Sequence, residues 1–236
     1  MRALGPTDFL TLKSMVPTMS ELPASTLPRL NEPAPDFQAN TTQGPRRLTD
    51  YRGKWLILFS HPGDFTPVCT SEFLAFAQAF SQFQAAGCEL LGLSVDSAFA
   101  HLAWVRNIQQ HFGIDIPFPI IDDLSMKVAS AYGMIMPGAS DTSAVRATFF
   151  IDPEGIMRAI IYYPMTCGRS IDEILRILRA MQTSDEHRVS TPAGWQPGDK
   201  VLVQPPATAD AASKRLEEGL ECVDWYFCKR DLRPKP

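Results

Sequence analysis

Residues 55–76 read WLILFSHPGDFTPVCTSEFLAF, and this stretch contains two changes of pattern. Trp55–Ser60 is a continuous apolar run of strand length, the pattern of a central strand buried on both faces. From residue 68 the period changes. Phe73, Phe76, Phe80 and Phe83 recur at steps of three, four and three, which predicts one buried face of a helix over 68–86, ended by Gly87. Between them His61-Pro62-Gly63-Asp64-Phe65-Thr66-Pro67 forms the turn, with prolines that fix φ and a glycine that lets the backbone turn or approach a ligand. Cys69 falls in the first turn of the predicted helix. Open α/β sheets place their sites at the carboxyl ends of strands, and a helix N-terminus supplies free N–H donors and partial positive charge. A cysteine there is either a small buried packing residue, the commoner case for an isolated cysteine, or a thiolate nucleophile.

Outward from this unit the chain continues to alternate. Leu90-Leu91-Gly92-Leu93-Ser94-Val95 predicts a second buried strand. Leu102, Val105, Ile108 and Phe112 predict the core face of a second helix, stopped by Gly113. A short strand over 118–121 and a short helix over 125–132 follow. Residues 147–151 and 157–163 then read as strands joined by Asp152-Pro153-Glu154-Gly155, the turn chemistry of an antiparallel hairpin. Ser170 and Glu173 form a capping box opening a helix with Ile171, Ile174, Leu175, Leu178 and Met181 on one face. The order βαβα…ββα predicts an α/β, thioredoxin-like fold, a central mixed sheet flanked by helices. Three units are expected: a poorly ordered arm over 1–28, the sheet domain over 29–184, and a C-terminal segment over 185–236. The last is interrupted by Pro192, Pro197, Pro205 and Pro206, has a short helix over 207–218, and ends with CVDWYFC at 222–228. Its aromatic cluster needs an apolar partner, such as a second subunit.

Composition narrows the functions. The 236 residues are 45% hydrophobic and 20% charged, with formal net charge −4 and no basic block, which argues against a nucleic-acid or membrane-surface partner. No apolar run is long enough to span a bilayer, and the N-terminus lacks a signal-peptide pattern. Five cysteines, an odd number in a long chain, fit a reducing, cytoplasmic compartment better than a secreted disulfide scaffold. Cys222 and Cys228 lack the spacing and second ligand pair of a zinc site, so no metal is expected. Cys88 and Cys167 read as structural.

Pro62-x-x-x-Thr66-x-x-Cys69 matches the PxxxTxxC signature of the peroxiredoxins, and SHPGDFTPVCTSE resembles their one-Cys, peroxiredoxin-6-like subfamily. APDF (34–37), LSVDS (93–97), HLAW (101–104), FPIIDD (118–123), FFIDPEG (149–155) and DEILR (172–176) are similar to that family too, so the resemblance covers about 29–236. It implies a peroxidase needing no cofactor, with hydrogen peroxide and alkyl hydroperoxides as substrates. Cys69 would be the peroxidatic thiolate and Thr66 would hold the peroxide. Pro62 would shield the pocket, and Arg146 would stabilise the negative charge on sulfur and leaving oxygen. His61 would stand near the pocket, and Glu72 with Arg169 would support Arg146. Extended members of archaea and some bacteria carry a C-terminal cysteine pair, which makes Cys228 the implied resolving thiol and Cys222 its exchange partner. The implied partners are a thiol reductant (thioredoxin, or glutaredoxin with glutathione) and a second copy of the chain in a homodimer, with decamers known among relatives. The lipase-like GDSWG of mammalian members is replaced by Arg52-Gly53-Lys54-Trp55-Leu56, with lysine at the serine position, so no phospholipase activity of that kind is expected. Two other readings use the same cysteine. One is a redox sensor or chaperone-like assembly protein. The other is a cysteine acyl hydrolase, which needs a histidine base with an acidic partner; His61 is the nearby histidine, with no Asp or Asn partner evident from the sequence.

Overall fold

The computed structural model describes residues 27–136, 138–139 and 142–233. The predicted arm falls outside the described residues except for its last two. In chain order the elements are β1 (Gln38–Ala39), β2 (Arg46–Arg47), a 3-10 turn (Leu48–Tyr51), β3 (Trp55–Ser60), α1 (Pro67–Ala85), β4 (Cys88–Ser94), α2 (Ala98–Phe112), β5 (Ile120–Asp122) and α3 (Lys127–Ala131). They continue with β6 (Arg146–Ile151), β7 (Met157–Tyr163), α4 (Ile171–His187), β8 (Val201–Leu202), α5 (Ala209–Arg215), β9 (Glu221–Asp224) and β10 (Phe227–Arg230).

The central sheet has the order β5-β4-β3-β6-β7. β3, β4 and β5 run parallel, and β6 and β7 join antiparallel. This is the mixed sheet that the alternation of elements predicts. The apolar run of β3 is continuous because both of its faces are covered. Trp55, Ile57 and Phe59 enter one cluster with Phe73, Phe76 and Phe83 of α1, Trp104 and Ile108 of α2, and Ile174 and Leu178 of α4. Leu56 and Leu58 enter the other, with Val128 and Ala129 of α3, Phe37, and Phe149 of β6. Side chains alternate across a strand, so five consecutive apolar residues supply three to one layer and two to the other.

The phenylalanine stripe of α1 packs as its spacing predicts. Phe59 stacks on Phe76 at 4.1 Å between ring centroids and meets Phe73 and Phe118 edge-on at 5.5 Å. α2 departs from expectation. Leu102 and Phe112 are 50% and 53% exposed, and the buried residues are His101, Trp104 and Ile108. The buried face keeps Ile108, with Val105 packed against it, but turns toward His101, whose ring is hydrogen-bonded to Asp64 and Ile121. Other shifts are at boundaries: β5 begins two residues later than the predicted strand, and α3 and α5 are shorter than their predicted helices.

Beyond α4, Val189, Trp195 and Val201 close a small cluster against Ala180. β8, β10 and β9 form a three-stranded antiparallel sheet, and the CVDWYFC stretch is its hairpin. Cys222 and Cys228 face each other across that hairpin and are joined by a disulfide. Val223, Trp225 and Tyr226 stand exposed on it.

The aromatic layer under β3 is the load on which this fold depends most. Phe59→Ala is expected to cost about 3–5 kcal/mol of unfolding free energy in a urea titration, the range for deleting a buried aromatic ring. Phe99→Ala, at a side chain 84% exposed, is expected to change it by less than about 0.5 kcal/mol. Equal effects from the two would contradict this packing.

Candidate active site

The site begins where β3 ends. Ser60 donates to the Val145 carbonyl at 2.6 Å and accepts from the Ala147 amide at 3.2 Å, which ties the end of β3 to the strand that starts at Arg146. The His61 amide donates to the Leu93 carbonyl at 2.9 Å. The chain then turns through Pro62 to Phe65. Phe65 sits in the left-handed region at φ 55°, an unusual conformation for an aromatic residue and one that the tight loop imposes. Thr66 is the N-cap of α1 with extended backbone, and Pro67 is the first helical residue, where its missing N–H costs nothing. The Thr66 hydroxyl makes no capping bond. It donates to the Gly63 carbonyl at 2.8 Å, which leaves the oxygen free to accept from a ligand.

Cys69 is the third residue of α1, facing the sheet with none of its surface exposed. Arg146, at the start of β6, donates from Nη1 to Cys69 Sγ at 3.3 Å and to Glu72 Oε2 at 2.8 Å. Glu72 lies one turn along α1 from Cys69, so the helix itself sets their relation. Arg169 approaches the same carboxylate from the other side. Its Nε reaches Oε1 at 2.9 Å, its Nη2 reaches Oε2 at 2.6 Å, and its own amide also donates to Oε1 at 2.9 Å. Two further donors are used: Arg169 Nη1 bonds the Ala147 carbonyl and Arg146 Nε the Met165 carbonyl. Arg169 further lies over the rings of Phe59 and Phe76. All three charged side chains are buried. Burial alone would raise the Glu72 carboxyl, but the charge and hydrogen bonds of Arg169, with Arg146 beside it, hold it below the usual range.

Two guanidinium groups thus converge on one carboxylate, leaving one unit of positive charge uncompensated next to the Cys69 sulfur. A thiolate there would complete the charge balance, and among the described residues no other acid is bonded to these two arginines. The sequence-derived set Cys69, Thr66, Arg146, Glu72 and Arg169 is therefore brought together. Pro62 lies in the same loop, half-buried.

His61 is fully buried, and burial pushes its pKa down. Its Nε2 meets Asp64 Oδ1 at 2.8 Å, while the other oxygen, Oδ2, meets His101 Nδ1 at 2.8 Å. Asp64 is thus the acidic partner for His61 that sequence reasoning did not find. Nevertheless, the polar contact of Cys69 Sγ is with Arg146, the reverse of a cysteine–histidine hydrolase pair. Asp64 and His101 were present in the motifs HPGD and HLAW. A histidine on the buried face of a helix was the available signal. The His61, Asp64 and His101 donor atoms lie within 4.8 Å of one another, so they could ligate a divalent ion, although each close contact between them is accounted for by a shared proton.

The other cysteines separate clearly. Cys88 is buried at the opposite end of the sheet, where burial pushes its thiol up, and Cys167 is exposed in the loop before α4. Cys222 and Cys228 form the hairpin disulfide, with no bond to Cys69. Lys54, at the position of the lipase-like serine, is exposed and paired with Glu89 at 2.6 Å. Among the described residues no helix is long and apolar enough to cross a membrane.

Comparison with known proteins agrees with this geometry. Residues 30–160 match the AhpC/TSA family model, and residues 180–219 match the C-terminal domain of 1-Cys peroxiredoxin. A peroxiredoxin of Aquifex aeolicus is 55% identical over 217 residues, covering 87% of this chain and 98% of that one. Peroxiredoxin 2 of Thermoplasma acidophilum is 53% identical over 199 residues, covering 84% and 98%. Among solved structures, the yeast mitochondrial 1-Cys peroxiredoxin superposes with TM-score 0.76 at 35% identity, covering 86% of this chain and 99% of that one. A cysteine-to-serine mutant of peroxiredoxin 6 of Arenicola marina superposes with TM-score 0.77 at 33% identity, covering 88% and 99%. With a mixed sheet of the thioredoxin type and a buried cysteine bonded by an arginine, the chain belongs to the peroxiredoxins of the AhpC/TSA family and is a thiol peroxidase.

Proposed function

We propose that Cys69 is the residue that consumes the peroxide, and the observation that carries this is the Arg146 Nη1 contact at 3.3 Å to a fully buried sulfur. In this reading the Cys69 thiolate attacks the terminal oxygen of a hydroperoxide. An S–O bond forms, the O–O bond breaks, and the leaving alkoxide or hydroxide takes a proton to become alcohol or water. Cys69 becomes a sulfenic acid. Charge moves from sulfur to the leaving oxygen, and Arg146 can stabilise both ends of that movement because its guanidinium is held in place beforehand by Glu72 and Met165. Thr66 receives the peroxide through its free lone pairs, and Pro62 covers the loop side.

For the second half of the cycle we assign Cys228 as the resolving thiol and Cys222 as its exchange partner. An external thiol reductant of the thioredoxin or glutathione class opens the Cys222–Cys228 disulfide. The Cys228 thiolate then attacks the Cys69 sulfenic acid, forming a disulfide and releasing water. Cys222 attacks Cys228 in turn, which restores Cys69 and closes the hairpin disulfide again. Exposed Val223, Trp225 and Tyr226 support a homodimer in which the hairpin lies on a second copy. A ring of such dimers would need a second contact, because a two-fold contact closes on itself. The cytoplasm is the compartment we assign, because a thiol cycle needs a supply of reductant.

Cys69→Ser is expected to abolish peroxide consumption, and full turnover by that variant would refute the assignment. Arg146→Gln should slow Cys69 oxidation by about 10²–10³, the loss typical of removing one preorganised donor, in stopped-flow measurements at unchanged secondary structure. Unchanged kinetics would remove Arg146 from the mechanism. Glu72 gives a pH prediction. Its folded pKa is depressed below the ordinary 4.5, so its stabilisation is fully present above that value and is lost as pH falls through the lower folded one. Glu72→Gln should therefore lose about 3–5 kcal/mol at neutral pH by leaving two buried guanidiniums unpaired, with the difference from wild type narrowing in acid. A difference constant across pH would show that Glu72 does not act as an ionised partner.

A further inference from the structure

While the hairpin is closed, Cys228 is bonded to Cys222 and only 1% exposed, so it offers no thiol until a reductant has opened it. The free cysteines are Cys69, Cys88 and Cys167. Cys88 is buried at the far end of the sheet, where β4 begins. Cys167 is exposed, so its side chain adds little to packing, and the structural role its sequence setting predicts does not fit.

The loop that carries Cys167 is fastened at both ends to the groups around Cys69. The Met165 carbonyl accepts from Arg146 Nε at 2.9 Å, and the same guanidinium donates to Cys69 Sγ at 3.3 Å. The Arg169 amide donates to Glu72 Oε1 at 2.9 Å. Between these anchors the Cys167 amide closes a turn on the Pro164 carbonyl at 3.0 Å. Gly168 lies against the start of α1: a Cβ built on it would stand 3.5 Å from Val68 Cγ1. Each cysteine is therefore next in sequence to a residue that faces the other's segment. With 3.8 Å between consecutive Cα atoms, the Cα atoms of Cys69 and Cys167 are at most roughly 15 Å apart. A disulfide needs about 4.4–6.8 Å, so one segment must move. The first turn of α1 is weakly fastened. Pro67 has no N–H, Thr66 makes no capping bond, and the helical amide ladder starts only at Thr70, which donates to the Thr66 carbonyl at 2.9 Å. Oxidation loosens it further, because a sulfenic acid is neutral and loses the charge attraction to Arg146. Gly168 gives the facing loop backbone freedom beside Cys167.

We propose that Cys167 is a second resolving thiol, which acts on Cys69 of its own protomer while the hairpin disulfide is closed. This rests on the reading of Cys69 as the peroxide nucleophile. The Cys167 thiol gives up its proton, and its thiolate attacks the sulfur of the Cys69 sulfenic acid. An S–S bond forms, the S–O bond breaks, and the leaving hydroxide takes the proton to become water. A thiol tethered in the same chain acts at an effective concentration on the order of millimolar. A dithiol reductant of the thioredoxin class then attacks the exposed Cys167 sulfur, and Cys69 leaves as the thiolate beside Arg146. The second thiol of the reductant releases Cys167 and closes the reductant's own disulfide.

The test uses the full chain carrying Cys222→Ser and Cys228→Ser, which keeps Cys69, Cys88 and Cys167. The reduced, desalted protein receives one equivalent of hydrogen peroxide with no external thiol and is mapped by non-reducing peptide mass spectrometry. The expected product is a Cys69–Cys167 disulfide in a chain that runs as a monomer on a non-reducing denaturing gel. Dimedone added at intervals reads the lifetime of the Cys69 sulfenic acid, which a further Cys167→Ser should lengthen by at least about tenfold. An equal lifetime with and without Cys167 overturns the proposal. So does a Cys69–Cys88 link, or a Cys69–Cys167 link found only in covalent dimers. The lifetime comparison is repeated with Cys167→Ser alone, in the chain whose hairpin disulfide is closed, so that it does not depend on how the hairpin variant folds; an equal lifetime there overturns the proposal as well. A Cys69 that peroxide leaves as a thiol would instead refute the reading of Cys69 itself.

Discussion

One carboxylate holds this site together. Glu72 takes four hydrogen bonds: two from guanidinium nitrogens of Arg169, one from the Arg169 amide, and one from Arg146. Its two partners arrive from β6 and from the loop before α4, so the bond network closes α1, the sheet and α4 onto each other. Burying three charges is costly, and removing the carboxylate would leave both guanidiniums unpaired. The same network has a chemical consequence, because its charges do not cancel. One positive unit remains, and Cys69 is where it can be neutralised.

The rest of the fold can be understood as what is needed to deliver these side chains. Parallel β3 and β4 end at the same edge, which brings the loop from His61 to Thr66 next to the helix N-terminus. Ser60 links the end of β3 to the start of β6, so Cys69 and Arg146, far apart in sequence, sit across one short bridge. The aromatic layer under β3 fixes the rotation of α1 and so the direction in which Cys69 faces. Arg169 stands over Phe59 and Phe76 of that same layer, which couples the charge network to the hydrophobic core.

Much of this could be read from the sequence. The double-faced apolar run of β3 and the 3-4-3 phenylalanine spacing are local patterns, and each fixes an element and its buried face. Cys69, Thr66 and Pro62 are close in sequence, so their motif carries their geometry. Arg146, Glu72 and Arg169 were found through the family resemblance, since their meeting depends on which strands pair and composition contains no trace of it. The misreading of α2 has a physical cause. Leu102 and Phe112 fit an apolar period, but the buried face turns toward His101, which is bonded to Asp64, and a sequence pattern gives a histidine no credit for burial. Asp64 was missed for the same reason: a loop aspartate usually reads as a solvated turn residue. The pairing of Cys222 with Cys228 likewise depends on the register of β9 and β10, which short, irregular strands do not announce.

The account stands or falls on which sulfur meets peroxide first. The most direct measurement is to add less than one equivalent of hydrogen peroxide to the reduced protein, trap sulfenic acid with dimedone at once, and map the adduct by peptide mass spectrometry. The account predicts the adduct on Cys69, with Cys88 and Cys167 unmodified. An adduct on Cys167 or on a hairpin cysteine, with Cys69 still a free thiol, would contradict it.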